Sequence, residues 1–230
     1  MDRYSLITNK NAREIVLLKS YPCKWGRCAF CDYIDDNTSS LEDMLETNRE
    51  VLKNITGEFG QLEVINSASV FELPDETLEE IKKIVVDKKI HTIYFEAYYN
   101  YKDRLDEIRS LFKGIKVVFK CGIETFDDYI RNKILKKGIV FKDALEVAEH
   151  FKSICLLVGF EGQTKESIMY DMKMLMRYFE RGCINIYINN TTPIKRNEEL
   201  IKWFKDEYGY LDQYENIEIL WNNTDFGVGD

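Results

Sequence analysis

Three cysteines lie within nine residues near the start of this 230-residue sequence. Cys23, Cys28 and Cys31 stand in the stretch YPCKWGRCAFCDY, with four residues between the first two and two residues between the last two. Cysteine thiolates bind zinc, and they are the usual ligands of iron–sulfur clusters. The spacing therefore predicts a metal or cluster site with three local protein ligands.

Three kinds of site remain open at this point. A zinc site would need a fourth ligand, and the only histidines, His91 and His150, do not stand at finger-like spacing. A redox dithiol at the last two cysteines would not need the first. An iron–sulfur cluster with three cysteine ligands keeps one iron open for a ligand that takes part in the chemistry. The other cysteines, Cys121, Cys155 and Cys183, stand in apolar runs and are predicted to be buried thiols.

The elements that must position these cysteines follow from the alternation of short apolar runs with longer amphipathic ones. Strands are predicted at residues 15–20, 61–67, 91–99, 115–124, 153–160 and 184–190. Six strand–helix units indicate an α/β fold, a partial (β/α)6 TIM-like barrel of parallel strands with outer helices, because the eight-unit barrel usually needs about 250 residues. Ligands of such folds bind where the strands end, and the cysteine loop follows the first strand.

Composition favours one globular domain over residues 1–230, since no run of Pro, Gly or Ser marks a linker. Residues 211–230 are predicted to be a C-terminal extension that could close the barrel mouth. The first twenty residues have neither a signal peptide's pattern nor a membrane anchor's, so we expect a cytoplasmic protein without a membrane partner.

The charge balance argues against a nucleic-acid partner. Lys and Arg number 32 against 40 for Asp and Glu, the net charge is -8, and no basic stripe stands out. The tract ILKKGIVFK (134–142) is locally basic and is predicted to be a solvated helix end.

The cysteine loop, with aromatic Phe30 just before Cys31, resembles the cluster-binding loop of radical S-adenosylmethionine enzymes. In that superfamily three cysteines bind a [4Fe-4S] cluster, and the methionine part of S-adenosylmethionine binds the fourth iron. Reductive cleavage then yields a 5′-deoxyadenosyl radical. The commonest spacing has three residues, not four, between the first two cysteines. The resemblance implies both cofactors and an external electron donor such as flavodoxin or ferredoxin.

The sixth predicted strand, INIYINNTTP (184–193), resembles the superfamily's segment that ends in proline and packs near the adenine. Three earlier segments resemble other cofactor-binding parts: INSASVFE (65–72), CGIET (121–125) and LLVGFEGQTKES (156–167). They correspond to the stretch that meets the cofactor's amino group, to an acidic residue near its ribose or methionine, and to a glycine turn near its adenine. Each also fits an ordinary turn before a helix. The resemblance implies the cofactor-binding residues Phe30, Tyr33, Asn66, Ser67, Ser69, Glu124, Thr125, Val158, Gly159 and Ile186.

Substrate residues are predicted at the strand ends and in the C-terminal stretch LWNNTDFGVGD. The set consists of Glu96, Tyr98, Asn189, Asn190, Trp221 and Asp225. Aromatic rings can stack on a heterocycle, and carboxylates or amides can bind its polar edges. Glu96 and Asp225 are also the predicted catalytic carboxylates, since either could pair with a substrate ammonium group.

The four-residue gap in the cysteine loop, the CGIET segment and the short six-unit barrel together resemble the compact bacterial queuine lyases. That resemblance implies a 7-deazaguanine substrate and a C–N bond scission that releases 7-aminomethyl-7-deazaguanine in queuosine precursor salvage. Two other functions remain open: a radical enzyme that modifies tRNA or another small molecule, and a zinc-stabilised binding module.

Overall fold

The structure is a computed structural model that describes residues 2–229. The strands in this range are β1 Tyr4–Ile7, β2 Arg13–Leu18, β3 Gln61–Asn66, β4 Thr92–Glu96, β5 Lys116–Glu124, β6 Ser153–Val158, β7 Arg181–Ile186 and β8 Ile217–Leu220. The α-helices are α1 Leu41–Leu52, α2 Asp75–Asp87, α3 Leu105–Leu111, α4 Ala144–His150, α5 Lys165–Tyr178 and α6 Glu198–Tyr208. The predicted α/β alternation with six strand–helix units, from β2–α1 to β7–α6, is confirmed.

Packing divides the chain into two compact units. The first consists of the residues up to Gly26, of Tyr33–Phe119 and of the residues from Phe226 onward. The second consists of Arg27–Asp32 and Lys120–Asp225. The predicted extension at 211–230 is thus divided between the two units, with 211–225 in the second unit. The single-domain organisation and the closing role of the extension stay predictions.

In the first unit β1 pairs antiparallel with β2, and β2, β3 and β4 follow in parallel order. The Phe95 ring packs 5.3 Å from Phe112 at the end of α3, so this face of the sheet carries the helices. Alternation along β4 puts Glu96 on the opposite face. There Ile15 and Leu17 of β2 pack with Phe226 and Val228, so the last residues of the chain cover part of that face.

In the second unit β5, β6, β7 and β8 are parallel and lie in chain order. Gly182 of β7 faces α5 so closely that a Cβ atom there would lie 2.6 Å from Leu175 Cδ1. Helix α5 ends at Tyr178, and Gly182 is needed for the close contact between β7 and this helix. Alternation puts Cys183 and Asn185 on the opposite face.

Several element boundaries differ from the prediction; among them, β4 ends at Glu96 and not at residue 99, so Tyr98 follows the strand. The short strands β1 and β8 were not predicted, and β7 ends at Ile186, so Asn189 and Asn190 belong to the loop after it. The basic tract begins at the last residue of a π-helix, Ile130–Ile134, and Lys136 and Lys142 are exposed, as a helix end predicts, but Lys137 is largely buried. The left-handed φ of 53° at Lys136 and 68° at Gly138 turns the chain into a loop after that helix.

Helix α5 begins as predicted. The Thr164 hydroxyl accepts the Ser167 N–H, and the Ser167 hydroxyl accepts the Thr164 N–H, which is a capping box. Within residues 2–229, the helices are too short or too polar to cross a membrane.

A buried carboxylate on α5 holds the turn that follows β5. Asp171 is fully buried, and its Oδ1 accepts the Phe126 N–H at 2.6 Å. Burial raises the pKa of the Asp171 carboxyl to about 7, while hydrogen bonds from the Phe126 N–H and the Thr125 hydroxyl oppose the rise. Arg131 donates to the Thr125 carbonyl oxygen at 3.0 Å. Helix α5 and Arg131 thus fix the backbone directly after Glu124.

We predict that Asp171 makes the fold less stable as the pH rises. Because its pKa lies near 7 in the fold and near 3.8 in the unfolded chain, the folded state binds the extra proton between these values. The free energy of unfolding should therefore fall across this window, by roughly 2–4 kcal/mol. Urea unfolding of the metal-free protein at about pH 5 and pH 8 gives the free energy of unfolding at each pH. The difference between the two values should be smaller for Asp171→Asn than for the wild type, and unchanged for exposed Asp106→Asn. If Asp171→Asn keeps the wild-type dependence of the free energy of unfolding on pH, the raised pKa of the Asp171 carboxyl is contradicted.

Candidate active site at the cysteine loop

The cysteine loop follows β2, as predicted, and Cys23, Cys28 and Cys31 are thiols of intermediate exposure outside any disulfide. Gly26 occupies the four-residue gap with a left-handed φ of 53°, and its N–H donates to Cys23 Sγ at 3.5 Å. A Cβ atom at Gly26 would lie 3.1 Å from the Cys23 carbonyl oxygen. The longer gap is therefore accommodated by a glycine turn that directs an N–H group at the first thiol.

The segment around Cys23 is held within the first unit by an aromatic and acidic cluster. The Tyr21 N–H donates to the Glu72 carbonyl oxygen at 3.0 Å, and the Trp25 ring stacks 6.4 Å from Tyr98. The Tyr101 hydroxyl donates to the Glu72 carboxylate at 2.5 Å. Burial raises the pKa of the Glu72 carboxyl, and the hydrogen bond from Tyr101 opposes that rise. The sequence analysis missed Glu72, although its S-x-x-E spacing from Ser69 is a capping-box signal.

The segment around Cys28 and Cys31 is held within the second unit. The Ala29 N–H donates to the Leu135 carbonyl oxygen at 2.8 Å. The Phe30 side chain packs against an apolar cluster formed by Ile130, Leu135, Leu157, Phe160 and Tyr187. Phe30 therefore anchors the loop in the core. Tyr33, by contrast, is 58% exposed at the start of a 3-10 turn, Tyr33–Asp36.

Glu124 and Lys137 form a largely buried ion pair, with 2.6 Å between Oε1 and Nζ. Glu124 has a left-handed φ of 67° at the end of β5, and the Lys137 ammonium lies 5.4 Å from the Phe30 ring centroid. Burial by itself lowers the pKa of Lys137, but the charges of Glu124 and Cys28 outweigh it, so the pKa is raised. Lys137 therefore supplies a fixed positive charge beside Cys28. The sequence analysis did not predict a site role for Lys137, and its only signal was its position in the basic tract.

The turn after β3 contains a buried acceptor. Asn66 is 4% exposed, and its Nδ2 donates to the Ser69 carbonyl oxygen at 3.0 Å. Its Oδ1 is buried and has no hydrogen-bond partner among the described residues. Ser69 caps the short 3-10 helix Val70–Glu72, and the Ser67 hydroxyl points to Asp36. A buried acceptor without a partner costs about 1–3 kcal/mol, so this position suits a ligand that brings a donor.

The turn after β6 needs its glycine. Gly159 has φ of 91°, and a Cβ atom there would lie 2.2 Å from Ile201 Cγ1. Gln163 closes the turn by accepting the Gly159 N–H at 2.8 Å and donating to the Leu157 carbonyl oxygen at 2.9 Å. Val158 and Ile186 are buried at neighbouring strand ends, and Thr125 is buried after β5. Contacts of these three residues with a ligand would come mainly from their backbone.

The predicted substrate residues fall in both units. Glu96 is half-buried on the face opposite the helices, and Tyr98 stacks on Trp25. Trp221 packs 6.2 Å from Phe204 of α6, and exposed Asp225 accepts the Asn222 N–H at 2.8 Å. Their roles toward a substrate stay predictions.

The two asparagines after β7 differ in their contacts. Asn190 Nδ2 donates to the Phe30 carbonyl oxygen at 2.8 Å, which brings this residue to the cysteine loop. Asn189 Oδ1 accepts the Arg196 N–H at 2.9 Å, within its own segment.

The donor set suits a cluster. Among residues 2–229 no three His, Cys, Asp or Glu side chains converge into a preformed metal site. The three loop thiols are nevertheless partly exposed, whereas Cys121, Cys155 and Cys183 are buried. An N–H group meets the first thiol and a cation lies beside the second, and both features favour thiolate ligands. The loop residues therefore fit a three-cysteine iron–sulfur cluster.

Comparison with known proteins agrees with this reading of the loop. A solved structure of a queuine lyase from Clostridium spiroforme, bound to S-adenosylmethionine and queuine, is 55% identical in sequence. The match covers 100% of both chains, with a TM-score of 0.98. The S-adenosylmethionine-bound structure of SuiB from Streptococcus suis matches 89% of this chain and 46% of that one, at 17% identity and a TM-score of 0.52, and supports the fold alone.

Among curated proteins, the archaeosine synthase subunit beta of Methanosarcina acetivorans is 27% identical over 151 residues, which is 60% of this chain and 43% of that protein. The chain spans about half the length of the curated relatives it matches. No family model matches it.

Parallel strands that alternate with helices, and a three-cysteine loop after the first parallel strand, define a radical S-adenosylmethionine enzyme with the predicted partial TIM-like barrel fold. Full-length identity of 55% then shows that the chain belongs to the queuine lyase family of that class.

Proposed function

We propose that this protein is a queuine lyase that releases 7-aminomethyl-7-deazaguanine by scission of a C–N bond. The observation that carries the proposal is the full-length similarity, at 55% identity and a TM-score of 0.98, to a queuine lyase bound to S-adenosylmethionine and queuine. The substrate is a small molecule, and we infer that it is a 7-deazaguanine base. The electron donor we propose is an external protein of the flavodoxin or ferredoxin type, in a cytoplasmic setting.

Cys23, Cys28 and Cys31 would ligate the [4Fe-4S] cluster. When bound and reduced, this cluster would supply one electron for the reductive cleavage of S-adenosylmethionine, which provides the radical chemistry that scission of the C–N bond needs. The Gly26 N–H at Cys23 Sγ and the Lys137 ammonium beside Cys28 would offset the negative charge of the thiolates.

The chain's groups for S-adenosylmethionine lie after β3, β5 and β6. Asn66 Oδ1, a buried acceptor, would accept a hydrogen bond from the cofactor's ammonium group. The Glu124 carboxylate has a second oxygen for a ribose hydroxyl or the ammonium, while Lys137 holds its first. The close turn at Gly159 would let backbone approach the adenine.

For the substrate we propose Glu96 as the main charged contact. It stands at the end of β4 on the face opposite the helices, where a carboxylate can pair with the secondary ammonium that links the two halves of queuine. Asp225 is the second candidate for this role. Tyr98 and Trp221 would stack on the rings, and Asn189 or Asn190 would read the base edge.

The test of the proposed function is anaerobic reconstitution with iron and sulfide, followed by incubation with reductant, S-adenosylmethionine and queuine. We expect 7-aminomethyl-7-deazaguanine to form only when queuine is present, and queuine to accelerate the slow formation of 5′-deoxyadenosine; both products are quantified by mass spectrometry. Cys28→Ala should abolish both, and Cys183→Ala, which removes a buried thiol, should keep both. Cofactor cleavage that queuine does not accelerate would refute the lyase and leave a radical enzyme of other specificity.

We predict that Asn66→Ala weakens S-adenosylmethionine binding about tenfold, because the loss of one hydrogen bond to a charged group costs about 1.4 kcal/mol or more. Isothermal titration with the anaerobically reconstituted protein measures this. Exposed Asn54→Ala, in the turn after α1, is the matched control. Thermal unfolding of the metal-free variants reports separately on the lost bond to Ser69, and an unchanged affinity in Asn66→Ala would remove this residue from the cofactor site.

We predict that Glu96→Gln lowers the rate of queuine cleavage at least tenfold while slow cofactor cleavage without substrate stays near the wild-type rate. The reason is that the amide keeps the shape but loses the charge that pairs with the ammonium. Quantifying 5′-deoxyadenosine with and without queuine separates the two rates. Equal loss in both would assign Glu96 to the cofactor or to the fold.

A further inference from the structure

The loop after β7 fastens the second half of the cysteine loop. Asn190 Nδ2 donates to the Phe30 carbonyl oxygen at 2.8 Å and to Asp32 Oδ1 at 3.2 Å. Thr191 donates to Asp32 Oδ2 from its N–H at 3.2 Å and from its hydroxyl at 3.3 Å. Phe30 and Asp32 flank Cys31, so one short segment bonds the backbone carbonyl before this cysteine and the carboxylate after it.

The orientation of the Asn190 amide is itself determined by its surroundings. Its Oδ1 accepts hydrogen bonds from the Thr192 N–H at 3.0 Å, from the Thr192 hydroxyl at 2.7 Å and from the Tyr187 hydroxyl at 3.2 Å. The Thr192 N–H can only donate and so requires an oxygen at this position, and the Phe30 carbonyl requires the NH2 group on the other side. The amide therefore cannot be reversed without losing several hydrogen bonds.

The segment is anchored in the core. Tyr187 is 3% exposed, packs with Phe160 and lies in the same apolar cluster as Phe30. Its hydroxyl also approaches the Ile194 carbonyl oxygen at 3.1 Å. A movement of the loop after β7 would therefore disturb both the backbone bonds at Cys31 and the packing of the Phe30 ring.

We infer that Asn190 and Asp32 are positioning residues that set the direction of the backbone through Cys31, and with it the placement of the Cys28 and Cys31 thiols for the cluster. The inference rests on the proposed cluster ligation, and it gives Asn190 a task other than reading the substrate. Both NH2 hydrogens of Asn190 are committed to the cysteine loop, which takes up the groups that would read a base edge. The two carboxylate oxygens of Asp32 accept hydrogen bonds from Asn190 and Thr191.

Asn189 offers a matched control. It is the same residue type one position earlier, it is exposed, and its Oδ1 bonds the Arg196 N–H. Asn190→Asp would replace the donating NH2 by a charged oxygen that faces the Phe30 carbonyl oxygen and the Asp32 carboxylate. Asn189→Asp introduces the same charge without this conflict.

The test compares iron and sulfide content, the electron paramagnetic resonance spectrum of the reduced cluster, and the rate of cluster loss to a chelator. We expect Asn190→Asp to lose its cluster on the order of tenfold faster than the wild type and to change the spectrum, whereas Asn189→Asp should match the wild type. None of these measurements needs queuine, so a failure of the lyase reaction in the wild type would refute the proposed function and leave this inference standing.

The double variant Asp32→Asn with Asn190→Asp reverses the donor and the acceptor. The amide introduced at position 32 can donate to the new carboxylate and still accept from Thr191, so part of the cluster stability should return. Recovery in the double variant relative to Asn190→Asp supports the pairing, and a merely additive loss contradicts it.

A substrate role for Asn190 predicts a different result. Asn190→Asp would then keep the wild-type cluster spectrum and chelator rate and raise the KM for queuine, and this outcome would overturn the inference. If Asn190→Asp does not fold, as judged by circular dichroism, Asp32→Asn alone takes its place. A wild-type spectrum and chelator rate in that variant would likewise overturn the inference.

Discussion

The cysteine loop has little regular secondary structure, so its shape depends on hydrogen bonds and packing from other segments. Three thiols can serve one cluster only if the backbone between them is held, because a flexible loop would lose much conformational entropy on binding. Around Cys23 this is done by the left-handed Gly26 and by the Glu72 cluster. Around Cys31 it is done by Phe30 packing and by the loop after β7.

Charge is the second constraint on this site. The chain carries a net charge of -8, and thiolates add to the local negative charge. The Lys137 ammonium, held by Glu124 and placed near the Phe30 ring, counters it beside Cys28. The buried pair also explains the strained φ of Glu124, since the turn that Asp171 and Arg131 stabilise directs the carboxylate toward this lysine.

The sequence predicted the alternating elements well, because buried parallel strands and amphipathic helices have strong periodic signals. It missed β1 and β8, which are only four residues long and lack such a signal. Lys137 was missed because its partner Glu124 lies 13 residues away in the chain, where spacing patterns carry no information. The bond from Tyr101 to Glu72, across 29 residues, was missed for the same reason, although S-x-x-E spacing is a local signal for Glu72 itself.

The sequence by itself determined the α/β class, the six strand–helix units and a three-cysteine metal or cluster loop, because these depend on local periodicity and on residue types at short spacing; its radical chemistry was implied by the resemblance to a known superfamily. Only the tertiary structure decided which partners two neighbouring residues bind. Asn189 and Asn190 are indistinguishable in sequence, yet one bonds its own segment and the other reaches Phe30, 160 positions away. Such assignments depend on contacts between segments that are distant in the chain, and those contacts are a property of the packed chain.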